Sequence, residues 1–132
     1  MQPLSQKTED FCNLVRQVVA SLPRQFRKHL ENVVVDVEPR PSPRTLRLLG
    51  MEADQSLNLM GLFEGKPIPQ QAYREHHPNR IVLFQDSIEA KCDSPEEVRY
   101  EVRRTILHEV AHHFGFSEED LEPFESVPSP YE

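Results

Sequence analysis

Apolar residues near the start of the chain recur at the spacing of an α-helix. Between residues 8 and 22 they occupy positions i, i+3, i+4, i+7, i+8 and i+11 of one stripe, formed by Phe11, Leu14, Val15, Val18, Val19 and Leu22. A stripe of this kind is typical of a helix that packs one face on a core. Pro23 ends this helix, and residues 23–30 are expected to begin a second, short helix with proline near its first turn.

Three short apolar runs further along the chain predict β-strands. They are residues 32–37 (NVVVDV), 59–64 (LMGLFE) and 80–85 (RIVLFQ), which contain the branched and aromatic residues that strands favour. The prolines of segment 38–44 predict a surface connection with neither helix nor strand. Residues 44–57 show no clear pattern beyond one helical turn at 46–49, and residues 66–79 are expected to form a polar loop.

The strongest helix signal in the chain begins at Ser94. Ser94 at the N-cap, Pro95 at the first helical position and Glu97 at the third predict a capping box. Two apolar rows follow at helical spacing, formed by Val98, Val102, Ile106 and Val110 and by Leu107, Ala111 and Phe114. Gly115 favours the left-handed conformation that ends helices, so we expect a helix of about 20 residues and roughly 30 Å. The tail from about residue 123 to residue 132 is expected to be loosely ordered.

The length and the charge of the chain narrow the classes of function. A chain of 132 residues fits one domain, residues 1–132, and leaves no room for a separate substrate-binding lobe. The formal net charge is −7, and residues 94–132 account for all of it, with 3 Lys/Arg against 10 Asp/Glu. Because nucleic-acid binding needs a basic face, a nucleic-acid partner is disfavoured.

Cysteine usage and hydropathy both favour a cytoplasmic location. Cys12 and Cys92 make neither a disulfide framework nor a C-x-x-C pair. No apolar signal-like segment follows Met1, and the longest apolar runs span only a few residues. We therefore expect two reduced thiols and no membrane partner.

The last turns of the helix that begins at Ser94 carry the sequence H-E-V-A-H, residues 108–112. Residues four apart on a helix lie one above the other, so His108 and His112 can aim both imidazoles at one cation. Two such nitrogens make half of a tetrahedral zinc site. Glu109 points to the neighbouring side, where it can reach a water on the metal without being a ligand.

A third metal ligand has to come from close by, because only 20 residues follow His112. They leave little room for a further helix that returns a glutamate, whereas Gly115 lets the chain reverse at once. Glu118, six residues after His112, is the favoured ligand, and Glu119 and Asp120 are the alternatives. These acidic residues can also begin a short capped helix.

With these motifs in place, the chain resembles the minimal zincins, small bacterial zincin-like metallopeptidases whose motif is H-E-x-x-H-x-x-G-x-x-D. The resemblance rests on residues 105–121 (TILHEVAHHFGFSEEDL), preceded by residues 61–65 (GLFEG) and 80–84 (RIVLF). It implies an α/β (α+β) zincin core, in which a small mixed β-sheet packs against the N-terminal helix and the long motif helix. Glu118 stands where the family commonly has aspartate, and the connection 39–55 resembles an insertion.

The resemblance also implies a zinc-dependent peptidase. In this hypothesis His108, His112 and Glu118 hold one Zn²⁺, and Glu109 is the general base for the water that attacks a peptide or protein substrate. The rival hypotheses are a non-catalytic, metal-stabilised binding or regulatory module and a structural fold without metal. The chain is expected to be a monomer or a weak dimer.

Substrate contacts are less well defined by the sequence. The candidates for a second donor to the oxyanion are Tyr73, His77 and Tyr131. An extended substrate is expected to pair with an edge strand, for which residues 59–63 and 80–84 are both candidates.

Overall fold

The computed structural model describes residues 6–64 and 79–125 of the chain. In chain order its elements are α1 (Gln6–Ser21), α2 (Arg24–Arg27), β1 (Val33–Glu38), α3 (Pro43–Leu48), β2 (Gly61–Glu64), β3 (Asn79–Phe84), α4 (Gln85–Ala90), α5 (Pro95–Phe114) and α6 (Glu118–Glu125). A 3-10 segment, Lys28–Leu30, follows α2, and a second one, Ala53–Asn58, precedes β2. No helix in the described parts of the chain is both long enough and apolar enough to cross a membrane.

The three strands form one mixed sheet in the order β1-β3-β2. β1 pairs with β3 in parallel, with Val35 opposite Ile81, and β2 pairs with β3 antiparallel, with Phe63 opposite Ile81. Among the strands of the described residues, β3 is therefore central and β2 lies at an edge. The α+β architecture with a small mixed sheet is confirmed.

Helix α5 packs against both α1 and the sheet, and the apolar stripes of the two helices meet in the core. The buried residues of α1 are Phe11, Val15 and Val18, and those of α5 include Val102, Ile106, Leu107, Val110 and Ala111. Ile81 and Leu83 of β3 contribute the sheet side of the same cluster. The stripes that predicted both helices are confirmed as core-facing.

The predicted ends of α5 are also confirmed. The Ser94 hydroxyl accepts a hydrogen bond from the Glu97 N–H at 3.2 Å and lies 3.0 Å from the Glu97 carboxylate. The second hydrogen bond of the capping box differs from the ideal pattern. The Glu97 carboxylate accepts from the N–H of Asp93 rather than from that of Ser94. Gly115 closes the helix with φ of +78°, a conformation that glycine adopts without a Cβ penalty.

The proline-rich segment is shorter than the 38–44 expected from sequence. Glu38 is the last residue of β1, and Pro43 opens α3. Proline is tolerated at the first helical position because no intrahelical acceptor is needed for its missing N–H, and the Ser42 hydroxyl caps the helix by accepting from the Thr45 N–H at 3.1 Å. The connection that is neither helix nor strand therefore reduces to residues 39–42.

Three further boundaries differ from the expectations. Gln85 begins α4, a six-residue helix that the strand pattern concealed, and Asn79 belongs to β3 rather than to the preceding loop. The tail expected to be loose from residue 123 is helical through Glu125, because α6 continues past Pro123. The rest of the predicted loop, residues 66–78, and the tail beyond Glu125 lie outside the described residues.

Arg80 ties the three strands together through one guanidinium group. Its Nε lies 2.8 Å from Glu64 of β2, its Nη1 2.8 Å from Asp36 and its Nη2 3.4 Å from Glu38, both of β1. Side chains alternate between the two faces of a strand, so this cluster lies on the face opposite Ile81 and the helical core. The ion pairs thus reinforce the register that places β2 beside β3.

Candidate active site

The last two turns of α5 present the two predicted metal-binding histidines. His108 is half-buried and His112 is exposed, and both belong to the uninterrupted helix. A separation of four residues is about one helical turn, so the imidazoles start from positions roughly 5.4 Å apart along one face. The exposure of His112 leaves this face open to solvent.

Glu109 turns from that face toward the edge strand. Its carboxylate accepts a hydrogen bond from the main-chain N–H of Phe63 in β2. Burial raises the pKa of Glu109 above its ordinary value, and the Phe63 N–H and the charges of His112 and His108 offset only part of that effect. A carboxyl group with a raised pKa is better matched to accepting and returning a proton near neutral pH.

A close approach of β2 to α5 makes the contact with Glu109 possible. A Cβ atom built on Gly61 would lie 2.6 Å from Cγ2 of Thr105, closer than real contacts allow. Glycine therefore lets the strand pack against the helix one turn before Glu109. Sequence reasoning missed this role of β2, although a glycine that opens a short strand is a known signal of close backbone approach.

Aromatic contacts fix the C-terminal end of α5 beside the histidines. The ring of His113 stacks on Phe63 with centroids 3.6 Å apart, and Phe114 contacts both Phe63 at 6.2 Å and His29 at 4.6 Å. Burial lowers the pKa of His113, and the charge of His112 lowers it further. The ring of His113 thus packs against β2.

The chain reverses after Gly115, as expected, and Glu118 is the first residue of α6. Asp120 is already engaged there, because its carboxylate accepts from the Ser117 N–H at 2.8 Å while the Ser117 hydroxyl accepts from the Asp120 N–H at 3.1 Å. This reciprocal pair is a capping box, which fulfils the prediction of a short capped helix. Glu119 is exposed.

The structure brings some of the predicted site residues together and leaves others untested. His108, Glu109 and His112 share the end of α5, and two imidazoles on one open helix face are a donor set that suits zinc. Among the side chains that the structure describes, no group of three His, Cys, Asp or Glu could hold a metal ion. The candidate oxyanion donors, Tyr73, His77 and Tyr131, lie outside the described residues.

Comparison with known proteins relates the chain to a family and to a solved structure. A family model described as zincin-like metallopeptidase matches residues 30–127. Among solved structures, a conserved hypothetical protein from Thermus thermophilus is similar, with a TM-score of 0.56 and 26% sequence identity over 82% of this chain and 94% of that chain. No curated protein matches the chain.

Proposed function

The chain belongs to the family of zincin-like metallopeptidases, and we propose on that basis that it is a zinc-dependent peptidase with Glu109 as its general base. The family match covers the sheet, α5 and all three predicted metal ligands. The observation that carries the proposal is the placement of Glu109, half-buried between the histidine face of α5 and the edge strand β2.

One Zn²⁺ ion is the proposed cofactor, with His108, His112 and Glu118 as its ligands. Support for Glu118 over Asp120 comes from the capping box, which already engages the Asp120 carboxylate. When bound, zinc would supply Lewis acidity that lowers the pKa of water and polarises a carbonyl oxygen. An arrangement of three protein ligands would leave a fourth position open, as catalytic zinc sites require.

Glu109 would move the protons of the reaction. Its carboxylate would accept a proton from the attacking water and return it to the amine that leaves the cleaved peptide bond. The raised pKa of Glu109 favours both steps, because a group with an ordinary carboxyl pKa holds its proton too weakly to return it near neutral pH. The oxyanion donors proposed from sequence remain Tyr73, His77 and Tyr131.

An extended peptide is the proposed substrate. Of the two strands considered from sequence, β3 has partners on both sides. Within residues 6–64 and 79–125, β2 has a strand partner on one side only, and it lies beside the candidate site. Gly61 lies opposite Leu83 in a pair without ladder hydrogen bonds, so its main-chain groups face away from β3. Edge strands of this kind bind extended peptides by strand addition.

Metal analysis combined with a peptide-cleavage assay tests the proposal. The purified protein should bind one equivalent of zinc and cleave members of a mixed peptide library, lose cleavage on chelation and regain it with zinc. His112→Ala should abolish zinc binding, whereas His113→Ala, which changes the adjacent histidine that packs on Phe63, should retain it. A zinc-loaded protein that cleaves nothing would instead be a non-catalytic, metal-stabilised module.

We also propose a cytoplasmic location. Cys12 and Cys92 form no disulfide within the part of the chain that the structure describes, which suits a reducing compartment. Labelling of Cys12 and Cys92 by a thiol reagent in freshly lysed cells should show both thiols reduced, whereas an oxidised pair would contradict this part of the proposal.

A further inference from the structure

The main-chain N–H of Phe63 is not used by the sheet. The N–H of Phe84 donates to the carbonyl of Met60, and hydrogen-bonded pairs alternate with other pairs along an antiparallel ladder. Leu62 is therefore in the next hydrogen-bonded pair, whereas the main-chain groups of Phe63, opposite Ile81, face away from β3. There the Phe63 N–H donates to a residue of α5 rather than to a strand.

The contacts between β2 and α5 are spaced by similar distances along the strand and along the helix. Gly61 packs against Thr105, and two residues later Phe63 reaches Glu109, four residues further along α5. Two residues of strand span about 6.6 Å and four residues of helix about 6 Å, so the match follows from the two rises. The position of the Phe63 N–H is consequently determined by the packing of Gly61 and Phe63 against α5.

The aromatic ring of Phe63 provides a second contact between this residue and α5. Its ring stacks on His113, one turn beyond Glu109, with an interplanar angle of 20°, and meets Phe114 edge-on. The main chain of Phe63 is thus anchored by Gly61 before Glu109 and by its own ring after it. A donor held in this way has a fixed direction.

We propose that Phe63 is a positioning residue, whose main-chain N–H holds one oxygen of the Glu109 carboxylate and leaves the other free to accept the proton of the attacking water. This inference rests on the proposed function. Phe63 acts through Glu109 and does not touch the substrate through this N–H. A fixed carboxylate does not have to lose rotational freedom in the transition state, so the contact should raise kcat more than it lowers KM.

A pair of substitutions at one position separates the N–H from the ring. Phe63→Pro removes the N–H and the ring, and proline is tolerated where an edge strand makes no ladder bond. Phe63→Leu removes the ring and keeps the N–H. Relative to Phe63→Leu, Phe63→Pro should lower kcat by about 10- to 100-fold, the range expected for a hydrogen bond to a charged group, with KM changed less than about 3-fold.

The separate effects on kcat and KM also show whether the Phe63 N–H binds the substrate instead of Glu109. An N–H that served the substrate main chain instead of Glu109 would raise KM in Phe63→Pro and leave kcat close to that of Phe63→Leu. Equal kcat values for the two variants would overturn the positioning role. Both variants should retain one equivalent of zinc, which excludes loss of the metal as the cause.

Amide hydrogen exchange tests the contact without any catalytic activity. The Phe63 amide should be protected in the wild type and should exchange about 10-fold faster or more in Glu109→Ala. Glu109→Gln retains a carbonyl acceptor and should keep much of the protection, and the Leu62 amide, which faces β3, should be unchanged in both variants. An unaltered Phe63 exchange rate in Glu109→Ala would overturn the inference.

The two arms separate this inference from the proposed function. A zinc-loaded wild type that cleaves no peptide contradicts the peptidase, whatever the exchange rates are. The positioning role is contradicted if the wild type is active but Glu109→Ala does not change the exchange rate of the Phe63 amide. It is also contradicted if Phe63→Pro and Phe63→Leu have the same kcat. Neither result contradicts the proposed peptidase.

Discussion

Gly61 of β2 lies so close to Thr105 of α5 that a Cβ at position 61 would be 2.6 Å from the Thr105 Cγ2 atom. Gly61→Ala should therefore destabilise the protein by about 1–3 kcal/mol, the range for overpacking, because β2 has to move away from the helix. The free energy of unfolding from urea titration measures the loss.

A second substitution shows whether the Thr105 methyl group is the cause. Thr105→Ser removes Cγ2 and keeps the hydroxyl, so it should recover part of the stability in the double variant. Recovery should be incomplete, because the carbonyl oxygen of Val82 also lies 3.1 Å from the added Cβ. Strictly additive effects of the two substitutions would contradict a direct contact between positions 61 and 105.

The sequence predicted α5 better than any other element because several local signals agreed. The capping box at Ser94, the two apolar rows and Gly115 all depend on residues close in sequence, and the structure has the same ends. Helix α4 was missed for the opposite reason. It has six residues and no side-chain N-cap, and Gln85 directly continues the apolar run of β3.

The Phe63–Glu109 contact could not be predicted, because it depends on long-range pairing. It requires β2 to be an edge strand and the register to leave the Phe63 N–H outside the ladder. Strand order and register follow from packing and from contacts such as those of Arg80, not from the composition of a four-residue strand. The motif thus located the histidines, whereas the surroundings of the base emerged only from the fold.

The raised pKa of Glu109 makes the stability of the zinc-free protein depend on pH. A carboxyl group whose pKa is higher in the folded than in the unfolded chain binds more protons when folded, so stability falls as pH rises between the two values. Glu109→Gln should therefore stabilise the zinc-free protein at neutral pH. This difference in stability between Glu109→Gln and the wild type should disappear below pH 4.5, the ordinary pKa of a glutamate carboxyl group.

Thermal unfolding of both proteins in chelator across this pH range measures the difference. Glu101→Gln, the same substitution at a buried glutamate of α5, is the control for the substitution itself. A Glu109→Gln protein that is less stable than the wild type at neutral pH would contradict burial as the main influence on the pKa of Glu109.

Arg80 should stabilise the sheet through charge. Arg80→Met keeps an apolar stem but leaves Asp36, Glu38 and Glu64 without their shared cation, so it should cost about 1 kcal/mol. The groups are partly exposed, and the loss should shrink in about 1 M salt, where charges are screened within a few ångströms. Urea titrations at low and high salt measure it, and a loss that salt leaves unchanged would indicate packing instead.

The choice of third ligand is tested by zinc affinity. Glu118→Ala should weaken zinc binding by more than about 100-fold, since even changes beside metal ligands commonly cost about 10- to 100-fold. Asp120→Ala removes a cap of α6 and should weaken binding no more than Ser117→Ala, which breaks the same capping box. Competition with a chelating dye gives the affinities. A loss specific to Asp120→Ala would make Asp120 the ligand.

The turnover number of Glu109→Gln, compared with that of the wild type at equal zinc occupancy, tests the proposed peptidase most directly. Peptides cleaved by the wild type are used, and zinc is measured by atomic spectroscopy in the same samples. Glu96→Gln, the same change at an exposed residue in the first turn of α5, serves as the control. We expect Glu109→Gln to keep one zinc per chain and to lose kcat by at least about 100-fold, the lower range for a general base. A Glu109→Gln protein that binds zinc and cleaves at the wild-type rate would contradict it.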